Sequence, residues 1–208
     1  NNFLSSKLKK KFLSKKIWCA ASTHETEENF CGLAHKKLKM KYKNLLTIII
    51  PRHINRTDNI IKEMEKLNLK VHTHSSKKKI DINTDIYLVD SYGITKSFFK
   101  ISKVVFLGGS IIKHGGQNPL EAARYGCKIL NGPNISNFYE IYDLLNKFNV
   151  SYEINSLNKL IYTVDKMFKN KTNSKNIKLK IKKLGNKILN STLKEVNLLI
   201  AKNEITKT

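Results

Sequence analysis

Short apolar runs rich in Ile and Val recur along this chain, separated by longer stretches whose apolar positions return every three or four residues. That alternation predicts a parallel β-sheet joined by crossover helices. Residues 17–21 read as a first strand. Ser22 and Thr23 follow as candidate helix caps, with Glu25, Glu27 and Glu28 in the first turn, where carboxylates complement the positive end of the helix dipole. Residues 45–50 are apolar without a break, as in a strand covered on both faces, and Pro51 ends the run. Ile60, Ile61, Met64 and Leu67 share one helical face ahead of a short strand at 69–71. Strands at 85–89 and 104–107 flank a helix at 95–101. A short helix at 119–125 returns through Gly126 into a strand at 128–130. After the Gly132-Pro133 turn come a helix at 138–148, a weak strand at 150–153 and a helix at 157–168. Residues 170–176 have linker composition. A long basic helix then carries Ile177, Ile181, Leu184, Ile188, Leu193, Val196 and Leu199.

The order predicts an α/β fold, a doubly wound, Rossmann-like parallel sheet, in which ligands bind off the carboxyl ends of the strands. Three segments follow: a basic lead-in at 1–15, the α/β domain at 16–170 and a basic amphipathic helix at 171–208. With 208 residues and 40% apolar content the chain can bury an ordinary core. Cys19, Cys31 and Cys127 are too scattered for a disulfide framework or a metal site, which points to a reducing compartment. No apolar run reaches the roughly 18–20 residues that span a bilayer. Residues 1–16 lack the apolar core of a signal peptide, and the chain does not begin with Met, which leaves room for a longer protein.

A net charge of +23, from 39 Lys and Arg against 16 Asp and Glu, suggests a polyanion as partner. Lys, Asn and Ile are abundant throughout while Arg, Ala and Pro are scarce, so compositional bias supplies much of that charge. Aromatics interleaved with basic residues, and recognised nucleic-acid motifs, are not seen, so no nucleic-acid partner is expected. Phosphate or a membrane surface remains as an anionic partner.

Chemistry concentrates after the strands. Ser22-Thr23-His24-Glu25 offers hydroxyls and amides at a helix start, and reads either as an anion site or as a plain capping box. Pro51-Arg52-His53 places a guanidinium and an imidazole at a strand end. Asp90-Ser91-Tyr92-Gly93 precedes a helix. Gly108-Gly109-Ser110 and Gly115-Gly116-Gln117-Asn118-Pro119-Leu120-Glu121 form the strongest stretch. Its glycine pairs let the chain wrap a ligand, and Glu121, one turn into a helix, suits the hydroxyls of a ribose while the preceding amides face phosphate.

Taken in order, Ser22-Thr23-His24-Glu25 with Glu27-Glu28, Pro51-Arg52-His53, Asp90-Ser91-x-Gly93, Gly108-Gly109-Ser110, Gly115-Gly116-x-Asn118-Pro119-Leu120-Glu121 and Gly132-Pro133 with Asn137-Phe138 resemble the successive motifs of the Kdo transferases. The resemblance spans residues 17–168. It implies the C-terminal half of a GT-B glycosyltransferase, which transfers 3-deoxy-D-manno-octulosonic acid (Kdo) from CMP-Kdo to a lipid A precursor in lipopolysaccharide synthesis. It implies CMP contacts at Pro51, Arg52, Tyr92, Gly93, Ile94, Asn118, Pro119, Leu120 and Glu121. Ser22, Thr23, His24, His53, Ser110, Gly115 and Gly116 are candidate sugar or phosphate contacts. No metal or other cofactor is expected.

The general base of such enzymes lies in an N-terminal acceptor domain, so no catalytic residue is assigned here, and that domain is an expected partner. A peripheral place on the cytoplasmic face of the bacterial inner membrane is the implied location. The family has Gly where Thr26 stands, His where Gln117 stands, and Met-Gly-Glu-Leu where this chain has Tyr92-Gly93-Ile94-Thr95. The lost Glu predicts a weaker site unless this segment binds through its backbone. Two alternatives stay open: an inactive remnant of such an enzyme, and a basic nucleic-acid or polyanion-binding module.

Overall fold

The computed structural model describes residues 6–170 and 172–205. Its centre is a seven-stranded, wholly parallel sheet in the order β3-β4-β2-β1-β5-β6-β7. The strands are β1 (Lys16–Thr23), β2 (Leu45–Pro51), β3 (Val71–Thr73), β4 (Ile86–Leu88), β5 (Val104–Leu107), β6 (Lys128–Asn131) and β7 (Ser151–Glu153). The helices are α1 (Ser6–Leu13), α2 (Glu27–Lys41), α3 (Thr57–Lys66), α4 (Thr95–Phe99), α5 (Leu120–Arg124), α6 (Tyr139–Lys147), α7 (Leu157–Lys169) and α8 (Ser174–Ile205). The predicted doubly wound sheet is therefore present.

Successive residues of a strand point to opposite faces, and here each face is covered by helices. Ile17, Cys19 and Ala21 of β1, with Leu46, Ile48 and Ile50 of β2, pack toward Phe98 of α4, Ala122 of α5 and Leu145 of α6. Trp18, Ala20, Leu45 and Ile49 pack the other way, against Ala34 of α2, Met64 of α3 and Val164 of α7. All seven residues of β2 are buried, as its unbroken apolar run required. The three cysteines are buried free thiols.

Four expectations shift. The strand expected at 69–71 pairs only from Val71, because Asn68 turns the chain at φ 59 and the Lys70 amide is taken by the Asp85 carboxylate at 2.8 Å. The basic lead-in contains a helix, Ser6–Leu13, whose Phe12 is fully buried edge-on against Tyr87 at 4.9 Å between ring centroids. Residues 1–5 of that segment lie outside the described part. The linker shortens, since α7 ends at Lys169 and α8 begins at Ser174. On α8 only the first part of the apolar stripe is covered: Ile177 and Ile181 are buried, whereas Ile188, Leu193 and Val196 are exposed. The Leu199 side chain lies outside the described part. Among the described residues no helix is long and apolar enough to cross a membrane.

Between α2 and the sheet sits a buried polar knot. His35 Nδ1 is 2.8 Å from the Thr47 hydroxyl and its Nε2 is 3.3 Å from Asp85 Oδ1, while Lys39 also pairs with that carboxylate. Burial alone would raise the Asp85 pKa. The bonds from His35, Lys39 and the Lys70 amide outweigh it and hold the group well below its ordinary value of 3.8. Because the folded value is the lower one, this stabilisation is present above pH 3.8 and is lost as pH falls toward the folded value. Asp85→Asn, which removes the charge shared by buried His35, partly exposed Lys39 and the Lys70 amide, is expected to cost about 2 kcal/mol, read as a lower urea midpoint at neutral pH. The difference from the unmodified chain should shrink below about pH 4.

Candidate functional site

The strand order reverses between β1 and β5, so the loops leaving their carboxyl ends diverge and open a crevice. The β1 end is irregular. Its register with β2 shifts between Ala21 and Thr23, Ser22 takes φ 54, and Thr23 pairs with Pro51. The strand thus runs through the residues expected to cap the helix. α2 begins instead at Glu27 behind Thr26, which has φ 74 and makes no side-chain capping bond. The capping role read for Ser22 and Thr23 is corrected accordingly. A β-branched residue strains in that left-handed region.

Glu27 organises the crevice floor. Its buried carboxylate accepts from the amides of His24 (3.0 Å), Gly109 (2.7 Å), Ser110 (3.1 Å) and Ile111 (3.0 Å). These amides were expected to face a ligand anion, but the protein supplies the anion itself. Only one arm of a capping box exists, from Glu27 back to His24. Ser110 is likewise withdrawn from the candidate contacts. It is fully buried, its hydroxyl donates to the Leu107 carbonyl at 2.5 Å, and it accepts from the Gly132 amide at 2.8 Å.

The second glycine pair also serves the scaffold first. A Cβ on Gly115, at φ +88, would fall 2.4 Å from Asn137 Nδ2, and the Asn137 amide donates to the Gly115 carbonyl at 3.0 Å. The Gly116 amide donates to the Gly109 carbonyl at 2.8 Å. Gly115 and Gly116 are buried, so their role as direct ligand contacts gives way to locking the 109–117 loop onto the 132–137 loop.

Above this floor the groups are open. Arg52 and His53 are exposed, with the Arg52 amide fixed to the Thr23 carbonyl at 2.9 Å. The turn after them is pinned by a two-pronged Arg56 to Glu28 pair at 3.0 and 3.3 Å. His24 lies 5.9 Å from His53 and 4.4 Å from His114 between ring centroids. His24 is 9% exposed and its Nε2 has no hydrogen-bond partner. An unpaired buried polar atom costs about 1–3 kcal/mol, which a ligand could recover. Burial chiefly, then His114, lowers the His24 pKa, with His53 and Arg52 acting the same way and Glu27 opposing. Among the described residues no group of three or more His, Cys, Asp or Glu side chains is placed to hold a metal ion.

A second set lies along the same rim. Glu121, in the first turn of α5, is exposed, with Lys96 of α4 at 3.6 Å. The Asn118 side chain accepts from the Leu120 amide at 2.9 Å and so starts α5. Pro119 is buried and Leu120 partly so. Tyr92 is 67% exposed, and Gly93, at φ +80, has open space around it. Ile94 is buried in the core, so this position offers a ligand only its backbone. Asp90 is occupied in tying the loops after β3 and β4 together through the Ser75 amide at 2.9 Å. The structure therefore brings Glu121 beside the helix that follows Tyr92–Ile94, and Arg52 beside His24. The sequence reading missed His114, Lys96 and the tether role of Glu27; a His directly before Gly115-Gly116 was the available signal for the first.

No family model matches the chain. The C-terminal domain of a glycosyl transferase group 1 family protein (LpcC) from Francisella tularensis has the same fold, with a TM-score of 0.53 at 12% identity over 86% of this chain and 89% of that one. The fold class is that of GT-B C-terminal domains. Within it, the C-terminal CMP-Kdo binding domain of WaaA from Acinetobacter baumannii superposes with a TM-score of 0.76 at 26% identity, covering 84% of this chain and 91% of that one. The 3-deoxy-D-manno-octulosonic acid transferase of Haemophilus influenzae is 36% identical over 140 residues, 67% of this chain and 33% of the relative. In sequence and fold the chain matches the C-terminal domain of the Kdo transferases, and it spans about a third of the length of the curated relatives it matches.

Replacing Glu27 by Gln puts an NH2 donor among four amide donors and removes the charge they share. The variant is expected to lose about 3 kcal/mol in urea unfolding, with faster hydrogen exchange concentrated at Gly109, Ser110 and Ile111.

Proposed function

We propose that this domain binds CMP-Kdo and presents it for transfer of Kdo to a lipid A precursor in lipopolysaccharide synthesis. The observation that carries the reading is the rim itself. Arg52, the Tyr92–Ile94 backbone and the Asn118–Glu121 turn leave the carboxyl edge of one parallel sheet, around the crevice where its order reverses. In this reading the Glu121 carboxylate accepts hydrogen bonds from the ribose hydroxyls, displacing Lys96. Pro51 and Tyr92 bound the cytidine, and the Arg52 guanidinium faces the phosphate.

Transfer proceeds by attack of an acceptor hydroxyl on the anomeric carbon of Kdo, breaking its bond to the phosphate of CMP. The developing charge on CMP is met by Arg52, a positioned donor that needs no reorganisation, and the reading calls on no metal ion. The base that takes the acceptor proton comes from an N-terminal acceptor domain outside this one, so the domain alone holds donor without turning it over. The net charge of +23 and the lysine-rich α8, with Ile188, Leu193 and Val196 exposed, support a peripheral position on the anionic inner face of the bacterial inner membrane.

Isothermal titration with CMP tests the site. Glu121→Ala and Arg52→Ala are each expected to weaken binding by about tenfold or more while the unfolding midpoint stays put, since both side chains are exposed. Unchanged affinity in both would refute the assignment. Saturation-transfer NMR with CMP, UDP and GDP is expected to single out CMP. Steeply salt-dependent RNA binding without CMP binding would instead favour a polyanion-binding module.

A further inference from the structure

The donor reading leaves one built feature unused. Kdo is an octulosonic acid, so CMP-Kdo carries two anionic groups: the phosphate that joins it to the nucleoside and the carboxylate of the sugar. Arg52 and the start of α5 are assigned to the nucleotide. The crevice floor cannot hold the second anion through its amides, because Glu27 already collects those of His24, Gly109, Ser110 and Ile111.

Directly above that floor His24 is 9% exposed, with Nε2 unpartnered. It is flanked by the rings of His114 at 4.4 Å and His53 at 5.9 Å. The three imidazoles come from different segments: the end of β1, the loop after β2 and the loop after β5. His24 and His114 meet over Gly109, where a Cβ would fall 3.2 Å from His114 Cδ2, 3.3 Å from Gln117 Nε2 and 3.4 Å from His24 Cδ2, while His53 lies against the His24 ring. Gly109 thus keeps open a cradle walled by nitrogen-bearing side chains.

We infer that His24, flanked by His114 and His53, forms the subsite for the carboxylate of the donor sugar. This rests on the donor reading above and deepens it. A buried imidazole suits this task because burial holds its pKa below the ordinary value in the empty site, and a carboxylate arriving beside Nε2 favours the protonated form. The Glu27 charge beneath and the Arg52 charge beside it then set the balance. The His24 backbone is fixed from below by its own amide bond to Glu27, and its ring packs against those of His114 and His53.

The test compares CMP with CMP-Kdo on the full chain. His24→Phe keeps a ring in the pocket and removes both nitrogens; buried Trp18 reports whether the variant folds. Affinity for CMP-Kdo is expected to fall by about tenfold or more while that for CMP changes less than about twofold. His114→Gln, at an exposed position, should lower CMP-Kdo affinity selectively even if His24→Phe does not fold. In the unmodified chain the His24 ring resonances should titrate at higher pH when CMP-Kdo is bound than when CMP is bound, and CMP-Kdo affinity should rise between pH 8 and pH 6. Equal losses for both ligands would place His24 on the nucleotide, and an unchanged CMP-Kdo affinity would remove it from the site. Either result overturns this inference while leaving the donor reading intact. Failure of the unmodified chain to bind either ligand would sink both.

Discussion

The buried Glu27 carboxylate is the constraint on which the rest of the crevice depends. Four amides from two sides of the strand-order reversal converge on its two oxygens, one from the end of β1 and three from the loop after β5. A carboxylate can accept all four bonds without offering a competing donor, and no neutral side chain of similar size can. Because the bonds cross from one loop to the other, the width of the crevice is set by a side chain rather than by the sheet alone. The Glu28 to Arg56 pair extends the same logic by one residue, fixing the loop after β2 to the same helix start.

This arrangement changes what the glycine-rich segment means. In many nucleotide-binding loops such amides face the ligand. Here the protein has already used them, and the tight turns at Gly115 and Gly116 serve contact between loops. The groups left above the floor are side chains: Arg52, His53, His114 and Glu121, which are exposed, and the buried His24. A preformed floor lets those groups be held in place while most of them stay exposed and free to contact a ligand.

Much of the architecture was legible because burial on both faces leaves a strong mark. The unbroken apolar run of β2 and the helical face of Ile60 and Met64 follow from elementary periodicity, and both were placed to within a residue or two. The misplacements have one kind of cause. The end of β1 and the start of β3 are governed by left-handed residues, Ser22, Thr26 and Asn68, none of which is a glycine, so nothing in the pattern announced a bulge or a delayed strand. The helix at Ser6–Leu13 looked like a charged lead-in because Phe12, its one fully buried side chain among the described residues, stands amid many lysines.

By itself the sequence determined the alternation of strands and helices, the parallel sheet with ligand loops at its carboxyl rim, and the run of short motifs shared with the Kdo transferases. These are properties of local pattern and order along the chain. Only the tertiary structure decided which polar groups were spent on the scaffold and which stayed free. Glu27, Ser110 and Asp90 look as functional in the sequence as Arg52 and Glu121 do, and His114 less so. The partner of a hydrogen bond between residues 82 to 84 positions apart is set by how the sheet brings its loops together, and no local spacing encodes it.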